Sequence, residues 1–207
     1  MTSLAPNEAP SRGFANPVFD SQRCFRAVMT AMARPGQIQS IEGIAEPPAP
    51  LNPVAAAVAI TLFDETTPLW LDSSLAESPA VCGWLAFHSG APVIEDCASA
   101  RFALAANPLV LPPLSSFSTG SDRYPDRSTT LILQIESLGA RGPRLTGPGI
   151  ASTANLSFAP MPLDFWSDFA RNRALFPCGV DIVLGGPRCL AALPRSTRVA
   201  PKPDENS

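Results

Sequence analysis

Twenty-four prolines among 207 residues set the first limit on what this chain can build. Proline removes a backbone donor and cannot continue a helix interior, and its usual share is only about 5% of residues. The chain must therefore consist of many short elements joined by rigid connections, and a bundle of long helices is disfavoured. With 45% hydrophobic residues there is enough apolar material for a real core. The length suits one large domain or two small ones. No internal repeat and no low-complexity linker divides it.

The periodic segments fall between these breaks. "DSQRCFRAVMTAMARPG" predicts an amphipathic helix capped by Asp20, with Phe25, Val28, Met29 and Met32 at helical spacing and a stop at Pro35-Gly36. "NPVAAAVAITLFD" opens on a capping Asn52 and a Pro53 at the first helical position, and is apolar on all sides, as a buried helix is. "SPAVCGWLAFHSG" repeats that signature at Ser78 and Pro79 and ends near Gly90. "LDFWSDFARNRALF" predicts a further helix from Asp164. "TPLWL", "RFALA", "TTLILQIESL" and "GVDIVL" read as strands, and the apolar stretch from Leu131 to Ile135 belongs in a sheet covered on both faces. Alternating strands and helices give an α/β or mixed α+β layered domain. It is expected over residues 13–199, with flexible tails at 1–12 and 200–207.

Several function classes drop out. The formal charge of −3, with scattered basic residues, leaves no footprint for nucleic acid. The N-terminus lacks the apolar core of a secretory signal, and the longest nearly apolar run, "PVAAAVAITLF", has 11 residues and cannot span a bilayer. Five cysteines, without a C-x-x-C, suit reduced thiols. A cytoplasmic protein is the expectation.

The chemistry is constrained mainly by what is scarce. Lys202 is the sole lysine and lies in the tail "PKPDENS", so no lysine within the fold could form a Schiff base or serve a P-loop. His88 is the sole histidine, and Cys82, six residues earlier, falls about 240° away around a helix, so no Cys-His pair is built locally. His88 is expected instead to bond the last carbonyls of its helix. One histidine and dispersed cysteines give no metal-ligand spacing. The adjacent carboxylates Asp64-Glu65 and Glu95-Asp96 read as solvated loop residues. Arg123, Arg127, Arg141 and Arg144 flank the central strand run and would clamp an anion only if its two ends met.

One segment, "RLTGPGI", has the hydroxyl and glycines of a phosphate cradle. A P-loop needs a lysine and a Ser/Thr directly after its last glycine, and here Gly149 is followed by "IAST". A turn is the better reading: a strand, a connection through Gly139 to Pro143, and a returning segment ending in a glycine-proline turn. Arg144, Thr146, Gly147 and Gly149 remain as ligand-binding candidates, facing a phosphate-bearing ligand at a subunit junction.

Several segments together resemble one family, the H subunit of the bacterial carbon-phosphorus lyase system (PhnH). They are "SQRCFRAVMTAMARPG", "DETTPLWLDS", "FHSGAP", "TTLILQIESL" with "RLTGPGI", and "FPCGVDIVL" followed by "LAALPRSTRV". The resemblance runs from about Phe14 to Val199, and its specificity comes from the set. It implies a single α/β domain like a reduced pyridoxal-phosphate-dependent transferase, with a mixed sheet, helices on both faces and no cofactor. It also implies partnership with subunits G, I and J, and a part, with G, I and L, in exchanging the adenine of MgATP for an alkylphosphonate. A structural or assembly role is expected, with a homodimer as the isolated state and no catalytic residue carried over. A contribution of binding residues to a shared active site, and a free-standing transferase, are the alternatives.

Overall fold

The computed structural model describes residues 11–200. Three helices begin with the same local device. Asn16, Asn52 and Ser78 each place a side-chain oxygen on the backbone N–H three residues on, and a proline follows each of them at the first helical position. They start α1 (Pro17–Ala33), α2 (Pro53–Leu62) and α4 (Pro79–Ser89), with a single turn, α3 (Ser73–Ala76), before the last. The expected cap at Asp20 is thus corrected to Asn16. Asp20 instead returns its carboxylate to the Asn16 N–H at 2.8 Å, satisfying the cap residue's own donor from one position beyond that of a capping box. Proline-glycine stops α1, and Gly90, left-handed at φ 69°, ends α4.

Among the described residues, ten strands form two sheets. The large one has the order β1-β9-β8-β5-β4-β2-β3. Its strands are β1 (Gln39–Ser40), β2 (Leu69–Leu71), β3 (Val93–Ile94), β4 (Phe102–Ala105), β5 (Thr130–Gln134), β8 (Asp181–Gly185) and β9 (Cys189–Leu193). Neighbours from β3 to β8 run parallel, whereas β9 is antiparallel to β8 and β1 to β9, so the sheet is mixed. Its central strands send alternate side chains to two cores. Leu104, Ile132, Val183 and Leu190 join the core under α1, α2 and α4. Leu131, Leu133, Ile182 and Leu184 join the other, under α5 (Phe165–Ala174). Burial on both faces is why these strands read as continuous apolar runs.

The second face is not covered by helix alone. A small antiparallel sheet, β10-β6-β7, shares it: β6 (Ser137–Thr146), β7 (Ala154–Ala159) and β10 (Arg198–Val199). Leu145, Leu156 and Phe158 are its buried contributions. The expected connection through Gly139 to Pro143 is therefore corrected, because these residues lie inside the ten-residue strand β6. The pairing register with β7 shifts between Gly139 and Arg144, and such a bulge accommodates a glycine and a proline within a strand. The fold is a single three-layer α/β domain.

Candidate functional site

In layered α/β proteins ligands settle beyond the carboxyl ends of the strands, where successive connections part to opposite sides. Here that point lies between β2 and β4, because the chain runs from β2 outward to β3 and returns across β2. Asp72, which follows β2 and is 2% exposed, fills it. Its carboxylate accepts the N–H groups of Ala106 at 2.8 Å and Asn107 at 2.9 Å, beyond β4, and that of Leu75 at 3.1 Å. Farther along the same end, Gln134 accepts the Asn52 N–H and donates to the Pro50 carbonyl at 3.0 Å, while Asn52 donates to the Gly185 carbonyl at 2.8 Å. These polar groups are committed to the protein's own backbone.

The four candidate residues divide into two pairs. Arg144 and Thr146 flank the buried Leu145 on β6, so both face outward, and Arg144 is exposed. Thr146 stands opposite Arg198 of β10, and Arg144 opposite Asn155 of β7. Gly147 and Gly149 instead turn the chain inward, at φ 134° and 80°. A Cβ on Gly149 would lie 2.0 Å from the Ala33 carbonyl oxygen, so the turn rests on the last residue of α1. That is the carbonyl-bearing, electronegative end of the helix, which a phosphate does not favour. The turn reading of "RLTGPGI" accounts for both glycines, while Arg144 and Thr146 belong to a different, outward surface.

Arg123 and Arg127 do not join Arg141 and Arg144. They lie at 5.2 and 4.1 Å over the ring of Tyr124, before β5, whereas Arg141 and Arg144 are on β6. Beside them Arg195 grips Asp181 through a doubly bonded ion pair and donates to the Pro125 carbonyl at 2.6 Å, fastening that loop to β8. Asp64 and Asp96 are exposed, as expected, but each organises its turn. Hydrogen bonds from Thr66 and from Ser99 and Ala98 hold their carboxyls below the usual range.

His88 departs from its expected role. The carbonyls of Leu85 and Ala86 are taken by Ser89 and Gly90, at 2.7 and 3.1 Å. The imidazole Nε2 bonds the Ser11 carbonyl at 3.0 Å, and the Trp84 indole donates to the same oxygen at 3.0 Å. This straps the N-terminal segment to α4 beside a cavity of about 1140 Å³. Cys24 lies along that cavity, and burial pushes its thiol up to about 11, which keeps it protonated and poorly nucleophilic. The Cys82 thiol points to the carbonyls of Leu75 and Ala76. Among the described residues, all five cysteines are free and no cluster of three or more His, Cys, Asp or Glu could hold a metal ion. No helix among them is long and apolar enough to cross a membrane.

Sequence reading missed Arg198 as a partner of Thr146, since only the pairing of β10 with β6 unites residues 52 positions apart. It also missed Asp72. Its sole signal was an acid placed directly after a short apolar strand, "LWLD".

Fold and site together define a three-layer α/β protein whose strand-end crevice is closed by its own polar side chains and whose charged candidates lie on an outer sheet. The chain belongs to the PhnH family: the family model described as "Bacterial phosphonate metabolism protein (PhnH)" matches residues 12–200. The alpha-D-ribose 1-methylphosphonate 5-triphosphate synthase subunit PhnH of Rhizobium meliloti (strain 1021) is 40% identical over 196 residues, 94% of this chain and 98% of that protein. The putative C-P lyase subunit protein HtxG of Stutzerimonas stutzeri is 30% identical over 199 residues, 95% of this chain and 93% of the relative.

Proposed function

We propose that this chain is a subunit of the carbon-phosphorus lyase core. In this reading it acts with subunits G, I and L to form alpha-D-ribose 1-alkylphosphonate 5-triphosphate from MgATP and an alkylphosphonate. The observation that carries the reading is the 40% identity to a named synthase subunit along 98% of its length. The role is structural: the chain supplies a rigid α/β body to which subunits G, I and J attach, in the cytoplasm. The fold is a reduced relative of the pyridoxal-phosphate-dependent transferases. It works without that cofactor, because the only lysine is Lys202. The isolated chain is a homodimer.

A second reading, in which the chain lends binding residues to a shared active site, draws support from the outward pair Arg144 and Thr146. Genetic complementation separates either reading from a free-standing enzyme. A strain lacking its own H subunit should grow on methylphosphonate as sole phosphorus source when this chain is supplied, and only while G, I, J and L are present. Growth that persists without those subunits would contradict both.

A further inference from the structure

The small sheet carries an asymmetry of charge. The whole chain has 18 acidic and 15 basic residues, yet strands β6, β7 and β10 hold Arg141, Arg144 and Arg198 and no Asp or Glu. All three arginines are exposed. Among the described residues, the ion pairs are made by Arg23, Arg171 and Arg195, so none of these three is neutralised. The inward side of the sheet is fixed by Leu145, Leu156 and Phe158 in the core, and strand alternation then places Arg144, Thr146, Asn155 and Ser157 outward. Arg198, opposite Thr146, shares that side. The surface is a cationic centre with neutral hydrogen-bonding neighbours. It is flanked by β7 and β10, each paired, among the described residues, on one edge only.

We propose that this outer face, centred on Arg144 and Arg198, is the docking surface for an acidic segment of a partner subunit. The proposal rests on the assembly reading above. Charge complementarity selects the occupant, since two guanidiniums with no ion-pair partner among the described residues favour carboxylates and repel a basic partner. A shallow sheet face suits a protein segment better than a small anion, which binds in a concave site. The open edge of β7 offers unpaired backbone groups to an extended segment lying alongside.

The test is association of the full chain with purified subunits G, I and J, followed by light scattering and surface kinetics at low and high salt. The double variant R144E/R198E should associate roughly tenfold more slowly than the unaltered chain at low salt, and should lose most of the salt dependence. R144K/R198K should keep it, and R123E/R188E, with the same charge change at Arg123 and at the exposed Arg188 between β8 and β9, should behave as the unaltered chain. Unchanged melting temperatures certify the fold of each variant. If the unaltered chain assembles and R144E/R198E assembles equally fast at both salts, the docking face is wrong while the assembly reading stands. If the unaltered chain ignores G, I and J, both are wrong.

Discussion

The carboxylate of Asp72 accepts the backbone N–H of Ala106 at 2.8 Å, joining the carboxyl ends of β2 and β4 across the position where a ligand would ordinarily enter. A carboxyl with three backbone donors and 2% exposure is both a staple and a plug. Asp72→Ala leaves those donors unpaired in the interior and should cost about 3 kcal/mol. Urea unfolding measures it, and a loss under about 1 kcal/mol would mean that water replaces the carboxylate, in a crevice more open than described.

Two glycines should respond in opposite directions to the same substitution. Gly149→Ala forces a Cβ to within 2.0 Å of the Ala33 carbonyl oxygen at a left-handed φ of 80°, and should destabilise by at least about 2 kcal/mol. Gly83, in α4, has nothing within 4 Å of a built Cβ. Gly83→Ala should stabilise by about 0.5–1 kcal/mol through helix propensity. Thermal melts of both variants check the pair, and equal effects would sink the packing account of the "RLTGPGI" turn.

How much of this was legible beforehand follows from which interactions are local. Helix starts at Asn52-Pro53 and Ser78-Pro79 were readable because a cap and its target lie three residues apart. Asp20 was mistaken for the cap because Asn16-Pro17, carrying the same signature, sits one turn earlier, ahead of the apolar spacing that begins at Phe25. The large sheet was legible from doubly buried runs such as Leu131 to Leu133. The small sheet was not, because "GARGP" has the composition of a loop and is held extended only by its pairing with β7. Arg144 and Thr146 were found by motif, but the surface they share with Arg198 exists only through strand register.

Cys24 should leave a signature in alkali. Its folded pKa, raised by burial from 9.0 to about 11, means that the unfolded chain releases this proton first as the pH climbs. The stabilising effect is complete below pH 9 and is lost progressively toward pH 11, at up to about 1.4 kcal/mol per pH unit. Cys24→Ala should remove that slope while keeping the rest of the pH profile. Parallel profiles for the two proteins between pH 9 and 11 would rule out the buried thiol as its source.

The proposed homodimer can be tested on α1. Val18, Phe25 and Met29 are 74%, 48% and 52% exposed and fall on one side of the helix at spacings of seven and four. A stable two-fold contact over this stripe would bury at least about 1,000 Å². Light scattering should show a dimer for the unaltered chain and a monomer for F25E/M29E, with unchanged circular dichroism. A variant that stays dimeric would move the contact elsewhere.

The proposed function makes the chain a necessary but not self-sufficient part of phosphonate activation. Its most direct test is adenine release from MgATP and methylphosphonate by purified subunits G, I and L, with and without this chain, the product being followed by phosphorus NMR. Adenine and a ribose 1-methylphosphonate 5-triphosphate signal should accumulate only when the chain is present, and the chain alone should yield neither. Equal rates in its absence, or adenine release by the chain alone, would contradict the account.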